Sequence, residues 1–118
     1  MKTLILGAST NPERYAHKAT LRLLAQNYEV VLVGKQAGEV MGNHINTERT
    51  ESIGVHTITL YMNPTHQRDW YAYILDTKPA RLIFNPGTEN TELAELASEQ
   101  GIQTLEACTL VLLATGQY

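Results

Sequence analysis

The apolar run Leu4-Ile5-Leu6 passes directly into Gly7-Ala8-Ser9, and an amphipathic period follows from about Tyr15. Thr3 to Gly7 reads as a short strand covered on both faces, which is the mark of a parallel sheet. Strand, small-residue loop and helix in that order make a site for an anion. Backbone N–H groups at the loop and helix start lack helical partners, and the helix dipole is positive there. Gly7, Ala8 and Ser9 are small enough to let a phosphate approach.

The same alternation continues along the chain. Between about Tyr15 and Gln26, Ala16, Ala19, Leu23 and Leu24 recur at helical spacing, with Lys18, Arg22 and Gln26 largely off that stripe. Glu29 to Val33 is a β-branched run stopped by Gly34, which completes a βαβ unit, right-handed in about 98% of such crossovers. Residues 35–54 carry Gly38, Gly42 and Gly54 with little periodicity and are expected to be loop with at most a short irregular turn. His56 to Met62 is a third strand ended by Asn63-Pro64, and Gln67 to Lys78 a helix with Trp70, Tyr73 and Ile74 on its apolar side. Arg81 to Phe84 is a fourth strand ending in Asn85-Pro86-Gly87-Thr88. Glu89 to Gln100 follows as a helix with Gly101 as its C′ residue. Gln103 to Ala107 is a fifth strand, and Thr109 to Leu113 a last strand or short helix. This order predicts a three-layer, Rossmann-like α/β fold around a mainly parallel sheet of five or six strands.

Composition narrows the function. A chain of 118 residues, 43% hydrophobic and 18% charged, suits one globular domain spanning 1–118. A net charge of −3 supplies no basic footprint, so nucleic acid is not an expected partner. The single cysteine, Cys108, excludes an internal disulfide, and no Cys/His spacing resembles a metal site. No segment approaches the roughly 20 apolar residues that span a bilayer, and the N-terminus lacks a signal-like run. The expected setting is the cytoplasm, away from membranes.

In open parallel sheets, ligands bind beyond the carboxyl ends of the strands, where strand order reverses. Those ends are Gly7-Ala8-Ser9-Thr10-Asn11-Pro12, Gly34-Lys35, Asn63-Pro64-Thr65, Asn85 to Asn90 and Glu106-Ala107-Cys108. A dinucleotide fingerprint would be G-x-G-x-x-G with an acid after the second strand to hold the ribose hydroxyls. Here the loop is G-x-S-x-x-P and a cation, Lys35, stands where the acid would be. That pattern favours a phosphorylated ribose, as in coenzyme A or NADP, over NAD.

Gly7-Ala8-Ser9, Pro12 and Arg14, Asn27-Tyr28, Val30 and Val33, the Gly38-Glu39-Val40-Met41-Gly42 turn, Asn63-Pro64, Asn85-Pro86-Gly87 with Asn90, Gly101 and Cys108 form a joint pattern. It resembles the small stand-alone CoA-binding domain proteins, which are similar to the N-terminal domain of the succinyl-CoA synthetase α subunit. The resemblance covers nearly the whole chain. It implies coenzyme A over the carboxyl edge of the sheet, with phosphates near Ser9 to Arg14. Lys35 would serve the anionic part, and the turns at Pro64 and at Asn85 to Asn90 would border the nucleotide and pantetheine. The chain departs from the family pattern in having Ala16 for Ser, Asn27 for Gly and Gly34-Lys35 for Asn-Pro. The synthetase's phosphorylated histidine belongs to a second domain, so ligase activity does not carry over.

The candidate ligand contacts are therefore Gly7, Ala8, Ser9, Thr10, Asn11, Pro12, Arg14, Lys35, Asn63, Pro64, Asn85, Pro86, Gly87 and Asn90. Several have simpler roles open to them: Ser9 as a turn cap, Arg14 in an ion pair with Glu13 or a nearby acid, Lys35 as a solvated loop residue, and Asn85 and Asn90 as turn residues; Tyr61, Trp70, Tyr71 and Tyr73 read chiefly as packing, with adenine stacking as the alternative. Cys108 is the one candidate nucleophile, with a buried, inert thiol as the simpler reading. The expectation is a non-catalytic binder or sensor of CoA or acyl-CoA. Alternatives are an enzyme using Cys108 on a CoA thiol or thioester and an NAD(P)-binding regulator. A homodimer is a family-level expectation, with Trp70 to Tyr73 as its contact.

Overall fold

In the computed structural model, which describes residues 1–118, the N-terminal apolar run is strand β1 (Lys2–Leu6) at the middle of a sheet. It pairs in parallel with β2 (Glu29–Val33) on one side and β5 (Val55–Leu60) on the other. Helix α1 (Tyr15–Ala25) is the crossover from β1 to β2. Beyond β5 lie β6 (Arg81–Phe84) and β7 (Gln103–Glu106), both parallel to their neighbours. The chain thus builds outward from β1 in one direction and then returns to build in the other. That reversal leaves a crevice at the carboxyl ends of β1 and β5.

Alternation along the strands divides the core into two layers. Leu4 and Leu6 pack with Ile58, Leu60, Leu82 and Phe84 on the face covered by α3 (Tyr71–Thr77) and α4 (Thr91–Glu99). Ile5 packs with Ala16, Leu23, Leu32 and Leu113 on the face covered by α1 and α5 (Thr109–Ala114). Leu4, Ile5 and Leu6 are each 0% exposed, so burying each contributes about 2 kcal/mol. The apolar run is therefore what holds the two layers together.

The sheet has seven strands, where five or six were expected. The difference lies in residues 35–54, which hold a hairpin of β3 (Gly38–Val40) and β4 (Asn43–Asn46). Its two-residue turn, Met41-Gly42, has positive φ at both positions (50° and 80°), the conformation that matches hairpin twist. Asn43 Nδ2 donates to the Val40 and Met41 carbonyls at 3.3 and 3.2 Å and tightens it. Strands of three and four residues are too short to display a period of two, and Met-Gly is a weak hairpin signal. The C-terminal tail, whose sequence suits a strand or a short helix, is helix α5.

Asparagines set several element boundaries. Asn63 caps α2 (Pro64–Gln67), its Oδ1 accepting from His66 N at 3.0 Å, with Pro64 in the first helical turn. The expected helix from Gln67 thus begins at Pro64 and passes through a 3-10 turn, Arg68–Trp70, into α3. Asn90 caps α4 through Leu93 N at 3.2 Å, so Glu89 lies outside that helix, where its carboxylate accepts from Gly87 N at 2.8 Å. Asn27, at φ 66°, ends α1 as a left-handed C′ residue while Tyr28 N donates to Leu23 O at 3.0 Å. Asparagine is among the few side chains that enter this conformation readily, so it replaces the family's glycine without breaking the motif. Gly101 ends α4 in the same way, as the sequence indicates, with Ile102 N on Ala97 O at 3.0 Å.

Candidate functional site

The crevice at the switch point is a cavity of about 880 Å³. Its floor is the paired carboxyl ends of β1 and β5, where Tyr61 N donates to Leu6 O at 2.8 Å. One wall is the loop from Gly7 to Thr10 with Arg14, Tyr15 and Ala16 at the start of α1. Gly34, Lys35, Gln36 and Thr47 form the adjoining side. Asn63, His66, Asp69 and Trp70, from α2 and the 3-10 turn, face them.

Backbone bonding decides which amides an anion could use. The sequence points to the whole loop, but Gly7 N and Ala8 N already donate to Val33 O, at 2.8 and 2.9 Å. Asn11 N donates to Ser9 Oγ (3.0 Å), Glu13 N to Asn11 Oδ1 (3.0 Å) and Arg14 N to Asn11 O (3.0 Å). The N–H groups of Ser9, Thr10, Tyr15 and Ala16 are the ones with no acceptor in the chain, and all four residues line the cavity. Arg14 occupies the N-cap position of α1 with extended geometry and gives no side-chain cap. A helix end without a cap keeps its donors available for an external acceptor.

Of the expected contacts, Gly7, Ala8, Ser9, Thr10, Arg14, Lys35 and Asn63 come together on this cavity. Arg14 and Lys35 are exposed and form no ion pair, so the expected alternative of a bridge from Arg14 to Glu13 is not realised. Ser9 does serve the turn, as an acceptor, and its hydroxyl proton remains to be donated. Asn11 and Pro12 stand behind the loop and off the cavity wall, as does Pro64 behind Asn63. His17 braces the loop with Nδ1 3.0 Å from Ser9 O.

Asn85, Pro86, Gly87 and Asn90 lie away from the cavity. Asn85 is 2% exposed and internally committed: Nδ2 donates to Thr59 Oγ1 (2.7 Å) and Leu60 O (2.9 Å), and Oδ1 accepts from Thr109 N (2.9 Å). Asn90 Nδ2 donates to Gln67 Oε1 and Tyr71 Oη, both at 2.9 Å. These asparagines tie the ends of β5 and β6 to α5 and α2. Cys108 is the N-cap residue of α5, half-buried, and does not line the cavity either.

Sequence reasoning pointed to amides at the helix start without naming Tyr15 and Ala16; Tyr61 and Trp70, read chiefly as packing, do pack against the two core layers and line the cavity as well. Tyr61 closes the cavity floor, with its phenol oxygen enclosed and lacking a hydrogen-bond partner. Burial pushes its pKa up to about 12, outweighing the Thr59 and Thr109 hydroxyls beside it. Those hydroxyls are 2.8 Å apart and bonded to each other, which leaves the phenol aside. The uncapped helix start was a signal available in Arg14, a residue type that does not cap.

The family model for the CoA binding domain matches residues 1–114. The chain belongs to the CoA-binding domain family. Among solved structures, one described as an uncharacterized protein is 51% identical, with a TM-score of 0.97 over 99% of this chain and 97% of that one. A Thermus thermophilus protein shares 22% identity with a TM-score of 0.88, covering 99% of this chain and 90% of its own. A conserved hypothetical protein from Pyrococcus furiosus shares 24% identity at a TM-score of 0.81, over 93% and 97%. The two latter likenesses are of fold. No curated protein matches the chain. For a CoA-binding domain, the residues on this cavity are chemically suited to a phosphate-bearing ligand: four free amides, two unpaired cations and a hydroxyl on one side. No group of three or more His, Cys, Asp or Glu is placed to hold a metal, and no helix is long and apolar enough to cross a membrane.

Proposed function

We propose that this protein binds coenzyme A or an acyl-CoA in the β1/β5 cavity and acts as a sensor or carrier rather than through a reaction of its own. The observation that carries this reading is the coincidence of free amides at Ser9, Thr10, Tyr15 and Ala16 with Arg14 and Lys35 on one cavity. Amides at a helix start suit a diphosphate, and a guanidinium adds two directed donors. Lys35 follows β2, where a NAD site carries an acid for the ribose hydroxyls, so a phosphorylated ribose is accommodated instead of repelled. Membership of the CoA-binding domain family supports coenzyme A over NADP. Ala16 lacks the hydroxyl that the family's serine supplies, and its N–H is what remains for the phosphate. Cys108 sits off the cavity, so the reading assigns it no chemistry. Calorimetry of the purified protein against CoA, acetyl-CoA, NADP, NAD and ATP tests this directly. The expected order places CoA and acetyl-CoA first; no heat from CoA at millimolar concentration would remove the proposal.

A further inference from the structure

The cavity is divided by charge, and its second wall carries different chemistry from its first. Arg14, Lys35 and the free amides stand on the side of α1 and β2. The opposite side is lined by Trp70 and by Asp69, whose carboxylate forms no ion pair. Phosphates are drawn to the first side, where the cations and free amides stand. What a phosphorylated ligand places on the second side must be planar and must offer a hydrogen-bond donor.

Trp70 is prepared for such a partner. The Arg49 guanidinium lies 4.4 Å from the indole centroid and is held in turn by a 2.7 Å bond from Nη2 to the Asp69 carbonyl. The Tyr73 ring meets Trp70 edge-on, with centroids 5.5 Å apart and planes at 77°. Tyr73 Oη donates to Thr50 O at 2.7 Å, which draws the segment carrying Arg49 against the same ring. Arg49 and Tyr73 are absent from the cavity wall while Trp70 is on it. The ring also packs against the core layer beneath α3 and is held from outside the cavity that Trp70 lines, so stacking on it costs little conformational freedom.

Resting on the CoA-type reading of the cavity, we infer that Trp70 is the platform for the ligand's nucleobase and that Asp69 selects a base bearing an exocyclic amine. The Asp69 carboxylate accepts from the 6-amino group of adenine. It repels the 6-oxo group of hypoxanthine, which presents an acceptor at that position. Asn63 has its Oδ1 engaged by His66 N, which leaves its Nδ2 as a donor for a ring nitrogen on the same wall.

Trp70 is the only tryptophan, so its emission reports on this wall alone. The test titrates the full-length protein with CoA, ADP, IDP and 4′-phosphopantetheine, following emission and heat in parallel, and repeats the calorimetry with Asp69→Asn and Trp70→Phe. CoA and ADP are expected to change the emission and 4′-phosphopantetheine to leave it unchanged. ADP is expected to bind about tenfold more tightly than IDP, a preference that Asp69→Asn abolishes. Trp70→Phe keeps a plane for folding while weakening ADP by about threefold, since stacking scales with the aromatic surface. Heat from CoA without an emission change, equal binding of ADP and IDP, or a preference that survives Asp69→Asn overturns the inference and leaves the CoA reading standing. ADP binding with the emission change but no CoA binding keeps the inference and removes the CoA reading. Absence of binding by both CoA and ADP removes both.

Discussion

Gly7 lies against Tyr61 so closely that a β-carbon on Gly7 would stand 2.6 Å from the Tyr61 carbonyl oxygen. The contact is between backbones, so no side chain can move aside. It marks the place where β1 and β5 diverge, and it is what lets the loop after β1 turn toward the cavity. At φ 102° Gly7 is also in a region that other residues rarely adopt. Gly7→Ala is expected to cost about 3 kcal/mol from the clash and the strained φ together. Urea denaturation checks this; a loss below 1 kcal/mol would mean that the β1/β5 junction yields.

Tyr61 links stability to alkaline pH. Its phenol titrates at about 12 in the folded chain against 10.0 for the free side chain. Between those values the unfolded chain has released the proton and the native chain retains it, so stability is full below pH 10 and declines as pH rises to about 12. The slope from this group is about 1.4 kcal/mol per pH unit. Tyr118, raised by burial as well, adds to the decline in the same direction. Tyr61→Phe removes a buried hydroxyl that has no partner. It is expected to raise stability by about 1 kcal/mol at neutral pH and to flatten the alkaline decline. Thermal melts from pH 8 to 11 of both proteins, with about 1 kcal/mol resolution, decide the matter.

Asn85 separates a structural role from a binding role. Asn85→Ala leaves Thr109 N, Leu60 O and Thr59 Oγ1 each short of a partner in a buried setting. The expected loss of stability is about 3 kcal/mol. Because Asn85 is not on the cavity, CoA affinity measured on the folded fraction should stay within about twofold. A selective loss of affinity with unchanged stability would return Asn85 to the ligand.

Lys35 is placed to distinguish CoA from dephospho-CoA, which lacks the ribose phosphate. Lys35→Glu is expected to weaken CoA by about tenfold and dephospho-CoA by much less, since only the former brings a dianion to that position. Added salt should narrow the gap between the wild type and the variant. An equal effect on both ligands would place the ribose phosphate elsewhere.

The short apolar runs determined the parallel core. A continuous buried run such as Leu4-Ile5-Leu6 is covered on both faces wherever it pairs, and the helical periods between runs leave only crossover connections. Gly101 was legible for the same reason, because its effect is local. Asn63 and Asn90 were visible as residues near loops, but whether an asparagine caps a helix, as these do, or meets a ligand depends on where the next turn of chain goes. The hairpin of β3 and β4 stayed hidden because its strands gain their meaning from pairing with β2.

The site shows the same division. That an anion would sit beyond Gly7 followed from strand, small-residue loop and helix. Which amides remain for it did not, because Gly7 and Ala8 are answered by Val33, a residue one crossover away. Asn85 reads in the sequence as a ligand contact or as a turn residue beside Pro-Gly, and tertiary packing against Thr59 and Thr109 turns it inward. Trp70 has helical spacing that assigns it to a core, against which it does pack, and only the fold brings it to the cavity wall as well, with Arg49 and Tyr73 against its ring. Local chemistry sets which residues can form strands, caps and turns. Hydrogen-bond satisfaction between distant segments decides which polar groups remain for a ligand.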